Sequence, residues 1–155
     1  MKRVTVRDTS VELPDLSVEA EFTRVESLGA EGGSLARFEL AGTRMRALDV
    51  KNAHLVEGKV RGLHAETATV KGMTARSVEF DGCKLLAARF DNVTLDHVVF
   101  SDCKLDYAVL SQVRAVGPVL FIRCSFREAE FRGCDLTRSL FEDCDLELAA
   151  FSQGA

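Results

Sequence analysis

Long apolar runs are missing from this chain of 155 residues; no uninterrupted stretch approaches the roughly 20 residues of a membrane-spanning helix. The N-terminus, MKRVTVRDTSVELPDL, lacks the apolar segment of a secretory leader, so the cytoplasm is the expected compartment and no membrane partner is expected. A surplus of positive charge is missing as well. Lys and Arg number 20 against 24 Asp and Glu, a net charge of −4, whereas neutralising a nucleic-acid backbone takes clustered cations. Direct nucleic-acid binding is therefore not expected. His-Glu-x-x-His, a phosphate-cradling glycine loop and a Ser–His–Asp grouping are also absent. No catalytic, cofactor-binding or metal-binding residue is assigned, and a non-enzymatic protein is expected.

What is present is an ordinary soluble balance, 46% hydrophobic and 28% charged, in a length that suits one domain. The dominant feature is repetition. FDGCKL at 80–85, FSDCKL at 100–105, FIRCSF at 121–126 and FEDCDL at 141–146 return at intervals of 20, 21 and 20. Within each interval runs a beat of five: Phe80, Leu85, Phe90, Leu95, Phe100, Leu105 and Leu110, then, after a slip of one, Phe121 through Phe151. Two residues before each stands Ala, Cys or Val, with Ser139 the polar exception. The remaining positions are mostly charged or small and polar.

Neither the helical period nor simple alternation explains that beat. A short extended piece with two inward side chains, followed by a turn, does explain it. Turns of one hand wind the chain into coils, and each coil must stack on the next to satisfy its backbone groups. Twenty residues in fives give four sides per coil. Cys83, Cys103, Cys124 and Cys144 then form one inward column, and Phe80, Phe100, Phe121 and Phe141 stand beside it.

CDLTR at 134–138, CDLEL at 144–148, AEFRG at 129–133, CKLDY at 103–107 and ARFDN at 88–92 resemble the A(D/N)LXX motif of the pentapeptide-repeat family. The resemblance implies an all-β fold, a right-handed quadrilateral β-helix. It is strongest over 78–151; upstream the central residues are smaller, and Thr43 and Gly58 depart from the pattern. Counting those in gives about six coils from residue 36 onward. Residues 1–35 do not keep the beat and are expected to form an N-terminal cap, with GAEGGS at 29–34 as a loop and an incomplete coil from about residue 16. The slip at 116–118 reads as a corner bulge, where Gly117 permits an unusual backbone angle and Pro118 lacks a ladder donor.

Column geometry also speaks to the cysteines. Steps of about 4.8 Å along a line prevent four thiolates from converging on one zinc ion. Adjacent Cα atoms would be close enough for a disulfide. Parallel side chains and a reducing compartment nevertheless favour packed thiols.

The outward positions hold the candidate contacts. Val99, Leu120, Ile122 and Leu140 form an apolar stripe on the side of Phe80, an expected surface for a protein partner or a homodimer. Glu142, Asp143, Asp145 and Glu147 make the last coil acidic, while Arg44, Arg46, Lys59 and Arg61 make an early region basic. The leading expectation is an interaction scaffold. Resemblance to family members that protect DNA gyrase against quinolones or toxins suggests DNA mimicry at a type II topoisomerase as an alternative, although no side is uniformly acidic. A third expectation is self-assembly through the C-terminal coil around Leu146 and Phe151.

Overall fold

The computed structural model describes residues 2–13, 21–22 and 34–152, and every regular element among them is a β-strand. A hairpin of β1 (Lys2–Val6) and β2 (Thr9–Leu13) comes first, followed by the two-residue β3 (Glu21–Phe22). The solenoid begins with β4 (Ser34–Lys51) and β5 (His54–Lys71), each long enough to bend around successive corners. It continues through β6 (Thr74–Asp81), β7 (Lys84–Leu85), β8 (Arg89–Ser101) and β9 (Val109–Ala115). Shorter rungs close it: β10 (Val119–Ile122), β11 (Glu130–Arg132), β12 (Ser139–Glu142) and β13 (Ala150–Ser152).

All pairing within the solenoid is parallel. Leu40 lies beside Val60, Val60 beside Phe80 and Phe80 beside Phe100, each a shift of 20. Phe100 lies beside Phe121, a shift of 21, and Phe121 beside Phe141. The same stacking builds a second wall through Met45, Ala65 and Leu85, a third through Val50, Val70, Phe90 and Leu110, and a fourth through Leu35, Leu55, Ala75, Leu95 and Ala115. The result is a four-sided β-solenoid of about six turns, the all-strand architecture implied by the five-residue beat.

The corners explain the winding. A left-handed backbone angle recurs at five-residue steps or their multiples, as at Asn52, Glu57, Gly62, Gly72, Ser77 and Gly82, again at Tyr107 and Gln112 and, past the one-residue slip, at Arg123 and Glu128. Most of these residues have side chains, although the left-handed region disfavours a Cβ by about 1 kcal/mol or more. Coil-to-coil hydrogen bonds and the buried central residues hold them there. At the corner after Leu105 the turn is closed locally, because Ala108 N–H donates to the Leu105 carbonyl at 3.2 Å with Tyr107 at φ 62°. Positive φ at the third residue is the geometry of a type II turn.

Inside, Phe80, Phe100, Phe121 and Phe141 stack with ring centroids 4.8, 5.0 and 4.5 Å apart. Such pairs add about 0.5–1.5 kcal/mol each beyond the burial of their area. Phe131 and Phe151 stack in the same way on the third wall.

Two glycines are fixed by space. A side chain at Gly58 would strike the Phe38 ring at 2.1 Å, so the large Phe38 one coil earlier fills the room that Val78 and Val98 fill for themselves further on. Gly117 carries no left-handed angle, which corrects the expectation for it; a side chain there would meet Asp96 Oδ1 at 1.9 Å. The extra residue of the corner brings the backbone against the coil above, while the Pro118 carbonyl accepts from Val98 N–H at 3.3 Å.

The described part of the N-terminal segment is a hairpin on the flank of the solenoid. β1 and β2 pair antiparallel from Lys2↔Leu13 to Val6↔Thr9 and lie against the first wall, where β2 touches β6, β8 and β10. They cover a side of the rod rather than its first coil. β3 does pair in parallel with β4, at Phe38 and Glu39. Of the expected loop at 29–34 only Ser34 is described, as the first residue of β4, and the start of the incomplete coil at 16–20 lies outside the described residues.

The Phe38–Gly58 contact yields a packing test. Gly58→Val alone is expected to cost about 1–3 kcal/mol by overpacking, and Phe38→Ala alone about 3–5 kcal/mol by cavity formation. The double variant should be clearly less destabilised than the sum, as measured by denaturant unfolding. Strict additivity would count against the shared space.

Candidate functional site

Four groups of residues compete for a functional role, and the walls distribute them differently. The cysteines come first because they are the strongest nucleophiles in the chain. Cys83, Cys103, Cys124 and Cys144 share the inner side of the second wall, one coil apart, and Cys134 sits on the fourth. Their thiols donate to main-chain carbonyls: Cys103 to Phe80 at 3.4 Å, Cys124 to Phe100 at 3.3 Å and Cys144 to Phe121 at 3.1 Å. Hydrogen bonding along the column, then burial, pushes the Cys103 and Cys144 thiols well above their ordinary value; the same hydrogen bonding holds Cys83 and Cys124 below it, while burial pushes Cys134 up. All five face inward and four of them are buried, so burial withholds them from a reactant whatever their ionisation. The lumen around them holds a void of only about 50 Å³ with an apolar lining, far below the volume of a small-molecule pocket. Among the described residues no three His, Cys, Asp or Glu side chains converge as a metal site would require.

The apolar stripe has an occupant. Val99 and Leu120 are buried, and Ile122 and Leu140 pack with them, beneath Val11 and Leu13 of β2 and Val4 and Val6 of β1. The hairpin alternates as a half-buried ribbon should: Arg3, Thr5, Ser10 and Glu12 point away, joined by an Arg3–Glu12 ion pair at 3.1 Å and a Thr5–Ser10 hydrogen bond at 2.9 Å. At the edge of this contact Glu12 N–H donates to His97 Nδ1 at 3.0 Å, and Arg7 reaches Glu142 at 3.4 Å. An open docking surface was expected at these four residues, and the structure instead gives them an intramolecular partner. Only the spacing VTV…VEL in 4–13 hinted at a ribbon able to do this, and nothing local in the sequence says where a ribbon will land.

The acidic group does not form one face. Glu142 belongs to the first wall, Asp143 to the corner, and Asp145 and Glu147 to the second wall. Three of the four are paired, Glu142 with Arg7 and the other two with Arg127 at 3.8 and 3.3 Å. Similar pairs bridge neighbouring coils elsewhere. Arg123 binds Asp102 through two hydrogen bonds, the main cause that holds this carboxyl below its usual range.

The basic group divides in the same manner. Lys59 and Arg61 lie on the first wall and are paired with Glu79 and Glu39. Arg44 and Arg46 lie on the second wall, where Arg44, His64, Lys84 and Lys104 stand side by side through successive parallel pairings. Arg44, Arg46, His64 and Lys84 line a cleft of about 590 Å³ that also includes Met45 and Leu86. This column escaped the reading of the sequence because charges were grouped by proximity along the chain. Sampling outward positions at the 20-residue period would have found it.

Two outcomes test these assignments. Alkylation of the native protein is expected to reach the half-buried Cys144 first and the four buried thiols only on unfolding, by mass spectrometry. Equal labelling of all five would contradict the sealed wall. Leu13→Asp should free the hairpin, since burial of such a side chain contributes about 1.5–3 kcal/mol. Amide exchange across 2–13 should then rise and dye binding to the exposed stripe increase, with the exchange of the solenoid unchanged.

Comparison with known proteins adds one positive finding. No curated protein matches the chain. A family model described as pentapeptide repeat region matches residues 73–151, which include β8 to β12 and the stacked Phe and Cys columns. With half of its length matched and the coils registered at 20 and 21 residues, the chain belongs to the pentapeptide-repeat family.

Proposed function

We propose that this protein is a non-enzymatic interaction scaffold, a rigid four-walled rod whose outer side chains dock another protein. One observation carries the reading: inward positions are sealed and apolar while outward side chains repeat in register, so the variable chemistry of the chain lies on its walls. A pentapeptide-repeat solenoid is suited to this use because its backbone is held coil to coil and a docking wall need not be ordered on binding.

Self-assembly has a narrower basis. Phe151 is 47% exposed on the last described coil, while the apolar side is already covered by the hairpin. DNA mimicry at a topoisomerase gains less support, because acids of the first wall and its following corner are neutralised locally: Glu79 by Lys59, Glu142 by Arg7 and, at the corner, Asp102 by Arg123.

Quantitative affinity capture with the full chain and wall variants distinguishes these readings. The scaffold reading expects a partner whose recovery falls with outward substitutions on one wall, with melting unchanged, and expects no inhibition of DNA supercoiling. A strictly monomeric, partner-free protein would overturn it. Oligomers abolished by Phe151→Glu would favour self-assembly instead.

A further inference from the structure

Positive charge is arranged differently on the first and second walls. Lys59, Arg61 and Arg123 each meet an acid one coil away, so their charges are neutralised across the stack. On the second wall Arg44, His64, Lys84 and Lys104 are register neighbours instead, with Arg46 beside Arg44. Among the described residues, Arg44, Arg46, Lys84 and Lys104 have no ion-pair partner. Like charges directly opposite on neighbouring strands are destabilising. A folded chain with net charge −4 thus keeps Lys84 beside Lys104 at a step of about 4.8 Å, with Arg44 and Arg46 on the same wall across His64, where stability alone favours alternation.

The surroundings identify the ligand class. Met45 and Leu86 add apolar surface to the cleft between these cations. At the adjoining corner, beyond Lys104, Tyr107 is 57% exposed and held at φ 62°, a position where glycine would cost less. Arg and Tyr are the residues that most often anchor protein interfaces. Glu66 lines the same cleft and Asp106 stands one position past Leu105 on this wall; both would repel the phosphates of a nucleic acid following the column. Carboxylates interleaved with apolar side chains can instead meet the cations singly and place their apolar residues on Leu86 and Tyr107. We propose that the second wall, from Arg44 to Tyr107, is the docking surface for an acidic, partly apolar peptide segment of a partner protein. This proposal rests on the scaffold reading and adds the wall and the chemistry of the partner.

The test is fluorescence anisotropy with the full-length protein. The probes are a labelled Asp/Glu-rich peptide containing Leu and Phe, a single-stranded oligonucleotide of similar length, and inorganic phosphate as competitor. The peptide is expected to bind, with affinity falling as salt rises from about 50 to about 200 mM. Arg46→Glu with Lys84→Glu should weaken it by about tenfold or more, and Tyr107→Ala by several-fold with the salt dependence retained. Unchanged melting of each variant controls for folding, and Lys84→Gln provides the milder substitution if charge reversal unfolds the chain. Tighter binding of the oligonucleotide than of the peptide would overturn the proposal, as would complete displacement by phosphate at equal charge. Peptide binding that ignores all three substitutions would do the same. If a captured partner is retained by the Arg46→Glu/Lys84→Glu protein and lost on changes to another wall, the scaffold reading stands and this assignment of its wall fails.

Discussion

Parallel hydrogen bonding between coils governs everything else in this molecule. An extended segment leaves half of its backbone groups pointing up and half down the rod, and only another coil at about 4.8 Å can satisfy both sets. That requirement fixes register, and register converts a sequence period into a column in space. The Phe80–Phe100–Phe121–Phe141 stack and the thiol-to-carbonyl contacts of the Cys column both follow from it. The left-handed corners follow as well. Glu57, Arg123 and Leu148 would favour another backbone region in isolation, yet the coils above and below leave no other path.

Consequently, inward and outward side chains were legible in the sequence to different degrees. The beat of Phe and Leu at five and the return of FDGCKL-like phrases at 20 specify coil, side number and core, because burial requires the same residue class at each repeat. Even the slip could be placed, since columns resume on both sides of it. Its physical cause could not: Gly117 is needed for clearance from Asp96, a contact between coils 21 residues apart. Gly58 is similar, an irregularity that becomes regular once Phe38 is seen to occupy its space. Deviations from a repeat are compensated along the column, and a reading along the chain does not display the column.

Outward positions carry no periodic requirement, so the candidate surfaces were read less well. The stripe Val99, Leu120, Ile122 and Leu140 was visible as an anomaly, and it is one; its resolution lies about ninety residues upstream in Val11 and Leu13. An antiparallel ribbon with one apolar face and an apolar wall are complementary, but pattern alone does not pair them. The link from Glu12 to His97 shows how local the docking signals are: a single main-chain donor meets a corner side chain.

Charge on such a rod obeys the same column logic. Positions 20 or 21 apart become neighbours, so an outward column with alternating sign is self-neutralising and one of constant sign stores repulsion. The first wall largely adopts the former arrangement through Lys59–Glu79 and Arg123–Asp102, and the hairpin covers its apolar part. On the second wall Arg44, Arg46, Lys84 and Lys104 have no ion-pair partner among the described residues, and Tyr107 borders them. Because the wall beneath is held by coil-to-coil bonding, reversing those charges should leave the fold intact. The same rigidity that makes the interior repetitive leaves the wall chemistry free to vary, which is why the fold and its family are plain from the chain while the outer columns are not.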